Sequence, residues 1–254
     1  MIKEIKDTTK VAQLYKDWDE TCVLSCLQGV MGKVYAPEGE APECAVCILG
    51  DFAFYAGKPS EELVMYKPPH KAESHFIIMV GDSEGWDDIF QKCYGDKCKL
   101  HVRYAIRKDT RFDLNALENI VKSVPDEYTL KFIDEKLYNY CINNDWCRDF
   151  VNNFDDYDHY KNHGLGVMAM LGDEPVAGAS SYSFYNEGIE IEIVTREEYR
   201  RRGLATYVGA KLVLECCKRG IYPSWDAANL NSVGISKKLG YIFNHEYNSY
   251  EVRW

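Results

Sequence analysis

The sequence predicts a mixed α/β fold, and three local patterns support that prediction. Residues 189–193 alternate isoleucine with glutamate, the period-2 pattern of a strand with one apolar face. An apolar run that begins at a glycine, over residues 203–214, indicates a helix. Far upstream, Leu114, Leu117 and Ile120 recur at helical spacing. Strands and helices are therefore expected in both halves of the chain.

The first half is expected to mix helices and strands. Short apolar runs bounded by turn residues predict the strands, and apolar positions three or four apart predict the helices. Helices are predicted over residues 11–18, 21–31, 86–93 and 113–121, and strands over residues 44–49, 52–56, 75–80 and 100–106. Gly50 and Asp51 predict a hairpin turn. The polar turn at Pro125 predicts a boundary between an N-terminal lobe, residues 1–125, and a domain of residues 126–254.

The second half has a clearer order of elements. Strands are predicted over residues 128–133, 166–171, 176–184, 189–195 and 221–225, and helices over residues 134–141, 203–214 and 229–239. Polar turns at residues 172–175 and 186–188 connect three of the strands as antiparallel hairpins. The predicted order is strand, one or more helices, three antiparallel strands, helix, strand, helix and a final strand.

Composition narrows the class of protein. With 46% hydrophobic and 28% charged residues, the chain resembles an ordinary folded protein. No apolar run approaches the roughly 20 residues of a membrane span. The N-terminal MIKEIKDTTK has no apolar signal core, so we expect a cytoplasmic protein. A net charge of −10 argues against nucleic acid as a partner. It suits a cationic acceptor, but net charge bears on solubility more directly than on function.

The ten cysteines and six histidines do not predict a metal site. Without a secretory signal, the cysteines are expected to be reduced thiols that pack as small hydrophobic residues. Cys44 and Cys47 have ligand-like spacing, but they lie in an apolar strand and lack a second pair. His159 and His163 are four residues apart and lack a third ligand. We therefore expect no metal.

The segment before the helix at residue 203 predicts a site for a phosphorylated ligand. Arg200, Arg201 and Arg202 supply positive charge, and Gly203 allows a tight turn. The start of a helix adds unpaired N–H groups and the positive end of the helix dipole. The Gly-Lys-Ser/Thr of a Walker loop and the third glycine of a dinucleotide fingerprint are both missing. A solvated basic turn ahead of an ordinary helix is the alternative.

The spacing in this segment resembles a known signature. Arg200-x-x-Gly203-x-Ala205 matches the Arg/Gln-x-x-Gly-x-Gly/Ala motif of the GNAT superfamily of acyl-CoA N-acyltransferases. Residues downstream match the superfamily's Asn-x-x-Ala and Lys-x-Gly-Phe/Tyr blocks, namely Asn229, Ser232, Gly240 and Tyr241. Within the superfamily the chain resembles the bacterial branch that includes the zwittermicin A resistance acetyltransferases. The match that bears these motifs covers about residues 165–254.

The resemblance implies a fold and a donor. The GNAT fold is a mixed, mostly antiparallel sheet with helices on both faces. The strand that precedes the Arg-x-x-Gly motif, here called the motif strand (residues 189–195), splays apart from the next strand. The pantetheine arm of acetyl-CoA lies between them as an added strand would. Here the splay is expected between residues 193–195 and residues 223–225. The N-terminal lobe is expected to be a degenerate GNAT-like half.

The resemblance also assigns the donor-binding residues. Main-chain groups on the motif strand would hold the pantetheine, and N–H groups at the start of the next helix would bind the pyrophosphate. The expected acetyl-CoA-binding residues are Ile193, Thr195, Arg200, Arg201, Arg202, Gly203, Leu204, Ala205, Thr206, Asn229 and Ser232. Asn229 suits an ordinary helix N-cap equally well.

Two glutamates on the motif strand are the candidate catalytic residues. GNAT enzymes often use a strand glutamate as general base, and Glu192 lies nearer the splay than Glu190. The alternative is that both only orient the acceptor or pair with arginines. Ser236 stands where many GNAT enzymes have a tyrosine acid. Tyr241 and Tyr247 are candidates for that role by residue type alone.

The acceptor is expected to be a small-molecule amine. Asp155 and Asp156 lie among the aromatic residues of 154–160, and such a mixture suits a cation. The same pattern is typical of an exposed acidic helix start. The predicted function is acetyl-CoA-dependent N-acetyl transfer to a primary amine, with a non-catalytic acyl-CoA-binding or regulatory protein as the alternative. No expectation about oligomeric state follows.

Overall fold

The structure, a computed structural model, describes residues 1–71 and 74–253. The strands are β1 (Ile2–Glu4), β2 (Lys33–Pro37), β3 (Cys44–Leu49), β4 (Phe52–Gly57), β5 (Phe76–Gly81), β6 (Cys98–Ile106), β7 (Tyr128–Phe132), β8 (Gly166–Leu171), β9 (Glu174–Tyr185), β10 (Gly188–Thr195), β11 (Tyr222–Ser224), β12 (Asp226–Ala227) and β13 (Phe243–Arg253). The α-helices are α1 (Thr21–Leu27), α2 (Glu61–Met65), α3 (Glu84–Tyr94), α4 (Leu114–Lys122), α5 (Glu135–Ile142), α6 (Tyr157–His163), α7 (Leu204–Arg219) and α8 (Leu230–Lys238).

The chain forms two compact units. The first comprises residues 1–103 and 246–254, and the second comprises residues 104–245. The boundary predicted at Pro125 therefore lies inside the second unit. The physical reason is that α4, which precedes Pro125, packs against α7 of the same unit.

The first unit is built on a sheet in the order β1-β2-β3-β4-β5-β13. Neighbouring strands are antiparallel except for β4 and β5, which are parallel. Aromatic rings of α3 pack on this sheet: Phe90 lies 5.0 Å from Tyr55 and 5.6 Å from Tyr250, measured between ring centroids. These buried rings belong to the hydrophobic core of the unit.

The second unit is built on a sheet in the order β11-β10-β9-β8-β7. Its strands are antiparallel except for β10 and β11, which are parallel and joined by α7. Helix α7 packs on β8, β9 and β10. Its close approach depends on Gly209, where an added Cβ would lie 3.2 Å from Cδ1 of Ile193. Four antiparallel strands followed by a helix and a parallel strand thus occur in both units.

The predicted order of the second half is confirmed, whereas several features of the first half differ. β1, β2 and α2 are not predicted. The helix predicted over residues 11–18 is shorter and of the 3₁₀ type, Ala12–Tyr15, and another 3₁₀ segment, Thr8–Lys10, precedes it. The helix predicted over residues 21–31 ends at Leu27, because Gly29 adopts a positive φ of 68°.

Two further observations concern the state of the cysteines and the length of the helices. All ten cysteines lie in the described part of the chain and are free thiols. Cys44 and Cys47 are buried in β3, where they pack as apolar residues. Within residues 1–71 and 74–253, no helix combines the length and the apolar character that crossing a bilayer requires.

Candidate functional site

Strand β10 lacks a strand partner along part of one edge. On that edge β11 pairs only with the first three residues, and the last pair is Glu190 with Ser224. The chain then turns away, and β12 pairs with β6 instead. Among the described residues, no strand pairs with residues 191–195 on this edge. The structure therefore has the predicted splay, but it opens only beyond Ser224, because Pro223 and Ser224 are still paired.

Main-chain groups of two predicted donor-binding residues point to this open edge. The N–H of Tyr222 donates to the carbonyl of Glu187 at 2.7 Å, which marks the β11 side of β10. The N–H of Arg196 donates to Val176 on the opposite, β9 side. Since main-chain groups alternate along a strand, the odd-numbered residues of β10 face the β11 side. Ile193 and Thr195 consequently present N–H and C=O groups to the opening.

Thr195 has a second feature at this edge. Its Oγ1 atom is buried and has no hydrogen-bond partner in the described part of the chain. Its main-chain oxygen accepts a hydrogen bond from Nε of Arg200 at 3.4 Å. A buried hydroxyl without a partner is uncommon in proteins and is costly. The open edge therefore ends beside an unsatisfied hydroxyl and an exposed guanidinium.

The turn that leads into α7 has a strained backbone. Arg201 has a φ of 65°, and no other non-glycine residue among those described has a positive φ. Gly203, the N-cap residue of α7, has a φ of 80°. Conformations of this kind persist where the surrounding structure or a ligand requires them. The strain lies where the sequence predicts the pyrophosphate.

The first turn of α7 has no side-chain cap, unlike the other α-helices of the second unit. Those helices begin with a side chain that accepts a main-chain N–H, from Asp113, Asp134, Asp156 and Asn229. The uncapped start of α7 leaves its N–H groups and positive dipole end to another acceptor. An anion of the ligand suits that role.

The three predicted arginines differ in their contacts. Arg202 donates from Nη1 to the hydroxyl of Tyr128 at 3.2 Å, and its guanidinium lies 5.1 Å from the Tyr199 ring centroid. Arg200 contacts Thr195, as described above, and Arg201 makes no hydrogen bond or ion pair with the described residues. All three side chains are exposed; Arg202 also contributes to the fold of the turn, and a ligand contact of Arg200 and Arg201 stays a prediction.

Tyr207 is a site residue that the sequence did not predict. An added Cβ at Gly203 would lie 3.4 Å from the Tyr207 ring. The ring thus lies beside the turn that forms the expected anion site. Its four-residue spacing from Gly203, which places both on one side of the first turn, is the signal in the sequence.

The two candidate glutamates lie in different surroundings. Oε1 of Glu190 accepts the main-chain N–H of Asp226 at 2.7 Å, and Oε2 lies 3.7 Å from Nζ of Lys108. Glu192 is half-buried and lies opposite Ser180 of β9. Since directly opposed side chains share a sheet face, Glu192 and Ser180 lie on the same side.

Helix α6 covers the side of the sheet on which Glu192 lies. The Ser180 hydroxyl donates to the carbonyl of Phe150 at 2.8 Å and lies 2.9 Å from the hydroxyl of Tyr160 in α6. Ile193, the next residue of β10, faces α7. The predicted acceptor segment and the predicted base therefore share one face of the sheet, and the helix of the expected pyrophosphate site lies on the other.

The two predicted acceptor-binding aspartates have local roles. Oδ1 of Asp156 accepts the main-chain N–H of His159 at 2.7 Å and caps α6. Oδ2 of Asp155 lies 3.4 Å from Nδ1 of His159, and the Asp155 side chain is 90% exposed. Asp156 thus stabilises the helix start, and Asp155 keeps its charge in solvent.

Two predicted donor-binding residues, Asn229 and Ser232, also have structural partners. Oδ1 of Asn229 accepts the main-chain N–H of Ser232 at 3.0 Å and caps α8. Oγ of Ser232 accepts from Nε1 of Trp225 at 3.1 Å. The N-cap alternative for Asn229 is therefore present, and its contact with pantetheine stays a prediction.

Ser236 and the candidate acid Tyr241 are placed unfavourably for donating a proton to a thiolate. Ser236 is buried and donates to the carbonyl of Val233 at 3.0 Å. The hydroxyl of Tyr241 donates to the carbonyl of Pro223 at 2.6 Å, and burial raises the pKa of Tyr241 well above its usual range. Tyr241 thus fixes β11. Tyr247 lies in β13, and its role as an acid stays a prediction.

We expect Tyr241→Phe to act on stability rather than on chemistry. The change removes the donor to the buried carbonyl of Pro223, so the free energy of unfolding should fall by about 1–3 kcal/mol. Urea denaturation measures this loss. A general acid would instead show a turnover loss of about 10²–10⁴ with little change in stability, and that result would contradict the structural role.

No group of three His, Cys, Asp or Glu side chains that could hold a metal ion occurs among residues 1–71 and 74–253. The site offers main-chain groups, a helix start and guanidinium groups instead. These are ligands for an extended amide and a phosphate.

The family model of GNAT acetyltransferases matches residues 12–250. The chain belongs to this family. A relative from Bacillus subtilis (strain 168), described as the uncharacterized N-acetyltransferase YdfB, is 26% identical over 254 residues, 98% of this chain and 88% of that protein. The crystal structure of a GCN5-related N-acetyltransferase-like protein from Streptococcus suis 89/1591 has a TM-score of 0.92 at 39% identity, covering 98% of this chain and 99% of that one.

A tandem GNAT protein from the clavulanic acid biosynthesis pathway is similar in fold. Its TM-score is 0.54 at 9% identity, and the match covers 100% of this chain and 98% of that chain. The GNAT fold and membership of the N-acetyltransferase enzymes, both implied by the motif, are confirmed for this chain.

The family generally uses acetyl-CoA as donor. The residues present fit that molecule. An open strand edge suits the pantetheine amides, the unpartnered hydroxyl of Thr195 lies beside it, and the uncapped helix start at Gly203 suits a pyrophosphate.

Proposed function

We propose that this enzyme transfers the acetyl group of acetyl-CoA to the primary amine of a small molecule by direct attack of the amine. The observation that supports this most strongly is the open edge of β10 running into the uncapped start of α7. Within the family, we further propose kinship with the branch of the zwittermicin A resistance enzymes, and a cytoplasmic location.

The proposed donor site extends along β10 and into the turn. Ile193 and Thr195 would bond the pantetheine amides through main-chain groups, as an added strand does. The N–H groups of residues 201–206 would bind the pyrophosphate, with the charges of Arg200 and Arg201 alongside. Asn229 and Ser232 would contact the pantetheine arm from the start of α8.

We propose that the first unit is a degenerate GNAT-like lobe without a donor site. Its parallel strands β4 and β5 remain paired, and the N–H of Asp82 donates to the carbonyl of Tyr55 at 3.1 Å. The main-chain N–H of Gly57 donates to Oδ2 of Asp82, and its carbonyl accepts from Nε1 of Trp86. These contacts satisfy the edge that a pantetheine would use. Calorimetry should therefore give one acetyl-CoA per chain.

The proposed chemistry needs one proton acceptor on the sheet. The amine nitrogen attacks the thioester carbonyl, and its proton passes to the carboxylate of Glu192, directly or through a water molecule. The thiolate leaves and takes its proton from water, because Ser236 and Tyr241 are buried and bonded to carbonyls. The carboxylate of Glu190 is engaged with Asp226 and Lys108. Glu192 lies on the sheet face covered by α6, where the acceptor is proposed to bind, and that position makes it our choice for the base.

The proposed acceptor site lies on the side covered by α6. Asp155 and Asp156 would attract a cationic amine, and the neighbouring ring of Tyr157 would contact its apolar part. Antibiotic-like amines are the acceptors that the branch resemblance favours. A shared fold does not determine the acceptor. The charged and aromatic side chains on this face of the sheet are what favour a cationic amine.

Asp155→Asn combined with Asp156→Asn should raise the KM for the acceptor about 2- to 10-fold, since exposed charge pairs contribute about 1 kcal/mol or less each. Asparagine caps helices as well as aspartate does, so α6 should keep its start. The affinity for acetyl-CoA should not change, and added salt should weaken acceptor binding to the wild type.

A matched control changes the same net charge elsewhere. Asp17→Asn with Asp19→Asn alters two exposed aspartates of the first unit and should leave the acceptor KM unchanged. If both double variants shift KM equally, the effect is one of net charge. If neither does, the acceptor has to be sought away from α6.

The function itself is tested by acceptor-dependent release of CoA thiol across a library of primary amines. The enzyme should release thiol at a rate that depends on the amine supplied. Binding of acetyl-CoA without release for any amine would contradict the proposed reaction and favour a regulatory acyl-CoA-binding protein.

A further inference from the structure

The carboxylate of Glu190 lies where β10 and β11 part, and contacts two other segments there. Oε1 accepts the main-chain N–H of Asp226, the first residue of β12, at 2.7 Å. Oε2 lies 3.7 Å from Nζ of Lys108, just beyond the end of β6. Both side chains are largely withdrawn from solvent, with 12% of Glu190 and 19% of Lys108 exposed.

The N–H of Asp226, which donates to Glu190, would instead pair with β10 if the ladder between β10 and β11 were longer. The N–H of Tyr222 donates to the carbonyl of Glu187. In a parallel pair such hydrogen bonds recur every two residues along each strand. If the pairing continued, the second bond after this one would join the N–H of Asp226 to the carbonyl of Ile191. The Glu190 side chain takes that N–H instead. Among the described residues, Ile191 then has no strand partner on this edge, and β12 pairs with β6.

In the first unit, the corresponding parallel strands β4 and β5 keep their main-chain hydrogen bonds at the equivalent positions. There the N–H of Ile78 donates to the carbonyl of Asp51, and four residues later the N–H of Asp82 donates to that of Tyr55. These bonds correspond in order to the ones just described. The residue before Tyr55, which stands in the place of Glu190, is Phe54, which has no acceptor in its side chain. The strands of that unit stay together.

We infer that Glu190 is a positioning residue that holds the cleft between β10 and β11 open by accepting the N–H of Asp226. Lys108 offsets the cost of a carboxylate withdrawn from solvent. The inference rests on the proposed function, in which this cleft receives acetyl-CoA. It gives the two glutamates of β10 separate tasks, with Glu190 shaping the donor site and Glu192 acting on the acceptor.

The test compares two double variants that differ in one acceptor atom. Lys108→Met is combined with Glu190→Gln or with Glu190→Met, so the ion pair between these two residues is removed in both proteins and the side chains at position 190 have similar volume. The glutamine variant should bind acetyl-CoA within about threefold of wild type, because its amide oxygen accepts the same N–H. The methionine variant should bind about 10- to 100-fold more weakly, the loss expected when a buried N–H group is left without an acceptor.

Turnover at saturating acetyl-CoA separates positioning from catalysis. We expect the methionine variant to raise the acetyl-CoA KM far more than it lowers kcat, with rescue by glutamine. Equal affinity in the two folded double variants would overturn the inference. So would a loss of kcat of about 10² or more in the glutamine variant at unchanged donor affinity, since that result identifies a base.

Folding and the proposed function are checked separately. Circular dichroism and thermal unfolding report whether each double variant folds; if the methionine variant does not, Glu190→Ala is compared with Glu190→Gln in the same way. Wild-type protein that binds no acetyl-CoA would overturn the proposed function itself. Wild-type binding together with full binding by the methionine or alanine variant would overturn only the role of Glu190.

Discussion

Gly203→Asp is expected to abolish measurable acetyl-CoA binding. The new carboxylate would lie at the uncapped start of α7, where the N–H groups are expected to meet the pyrophosphate. Two like charges about 4 Å apart repel by about 4 kcal/mol at an effective dielectric constant near 20. With about 1.4 kcal/mol for each factor of ten, the affinity should fall about 100- to 1,000-fold. Isothermal titration calorimetry with acetyl-CoA measures this loss.

The same helix supplies a matched control. Gly220 ends α7 with a φ of 70°, and an added Cβ there would meet no atom within 4 Å. Gly220→Asp therefore imposes a similar backbone strain and the same charge at the far end of the helix, and it should bind acetyl-CoA normally. Gly203→Ala separates strain, about 1–2 kcal/mol for a left-handed residue, from the carboxylate. Unchanged affinity in folded Gly203→Asp would remove the pyrophosphate from this turn.

The second half of the fold was predictable because its signals are local. The alternation over residues 189–193 and the glycine at position 203 specify a strand, a turn and a helix without reference to the rest of the chain. β1 and β2 escaped prediction because short strands depend on their neighbours: Ile2 and Glu4 pair with residues of β2. The 3₁₀ segments escaped for a similar reason, since a short apolar spacing suits either type of helix.

Residue types at the site were predictable, whereas their partners were not. The period of a strand tells which side chains share a face, and it placed Glu190 and Glu192 together. It does not reveal that the N–H of Asp226 and the ammonium of Lys108 converge on Glu190. Nor does the run of three arginines show that Arg202 bonds to Tyr128 of β7. Such contacts join segments that are distant in sequence, so only the folded chain defines them.

Glu192→Gln is expected to lower turnover by about 10²–10⁴, the usual contribution of general acid–base catalysis, while leaving acetyl-CoA affinity nearly intact. Glu192 lies on the face covered by α6, opposite Ser180, and so on the side proposed for the acceptor. The amide keeps the size and hydrogen-bonding capacity of the side chain but does not take a proton at neutral pH. Steady-state kinetics at saturating donor and amine measure the loss in kcat.

The comparison with Glu190 decides between the two carboxylates. If Glu192 is the base, raising the pH should partly restore Glu192→Gln, because more of the amine is then already deprotonated and needs no acceptor for its proton. Glu190→Gln should show no such restoration, since its effect lies in donor binding. A larger loss of kcat in Glu190→Gln, relieved at high pH, would mean that the base is the residue at the mouth of the cleft. The carboxylate of Glu190 would then have to release the N–H of Asp226 in each turnover in order to accept the proton of the amine.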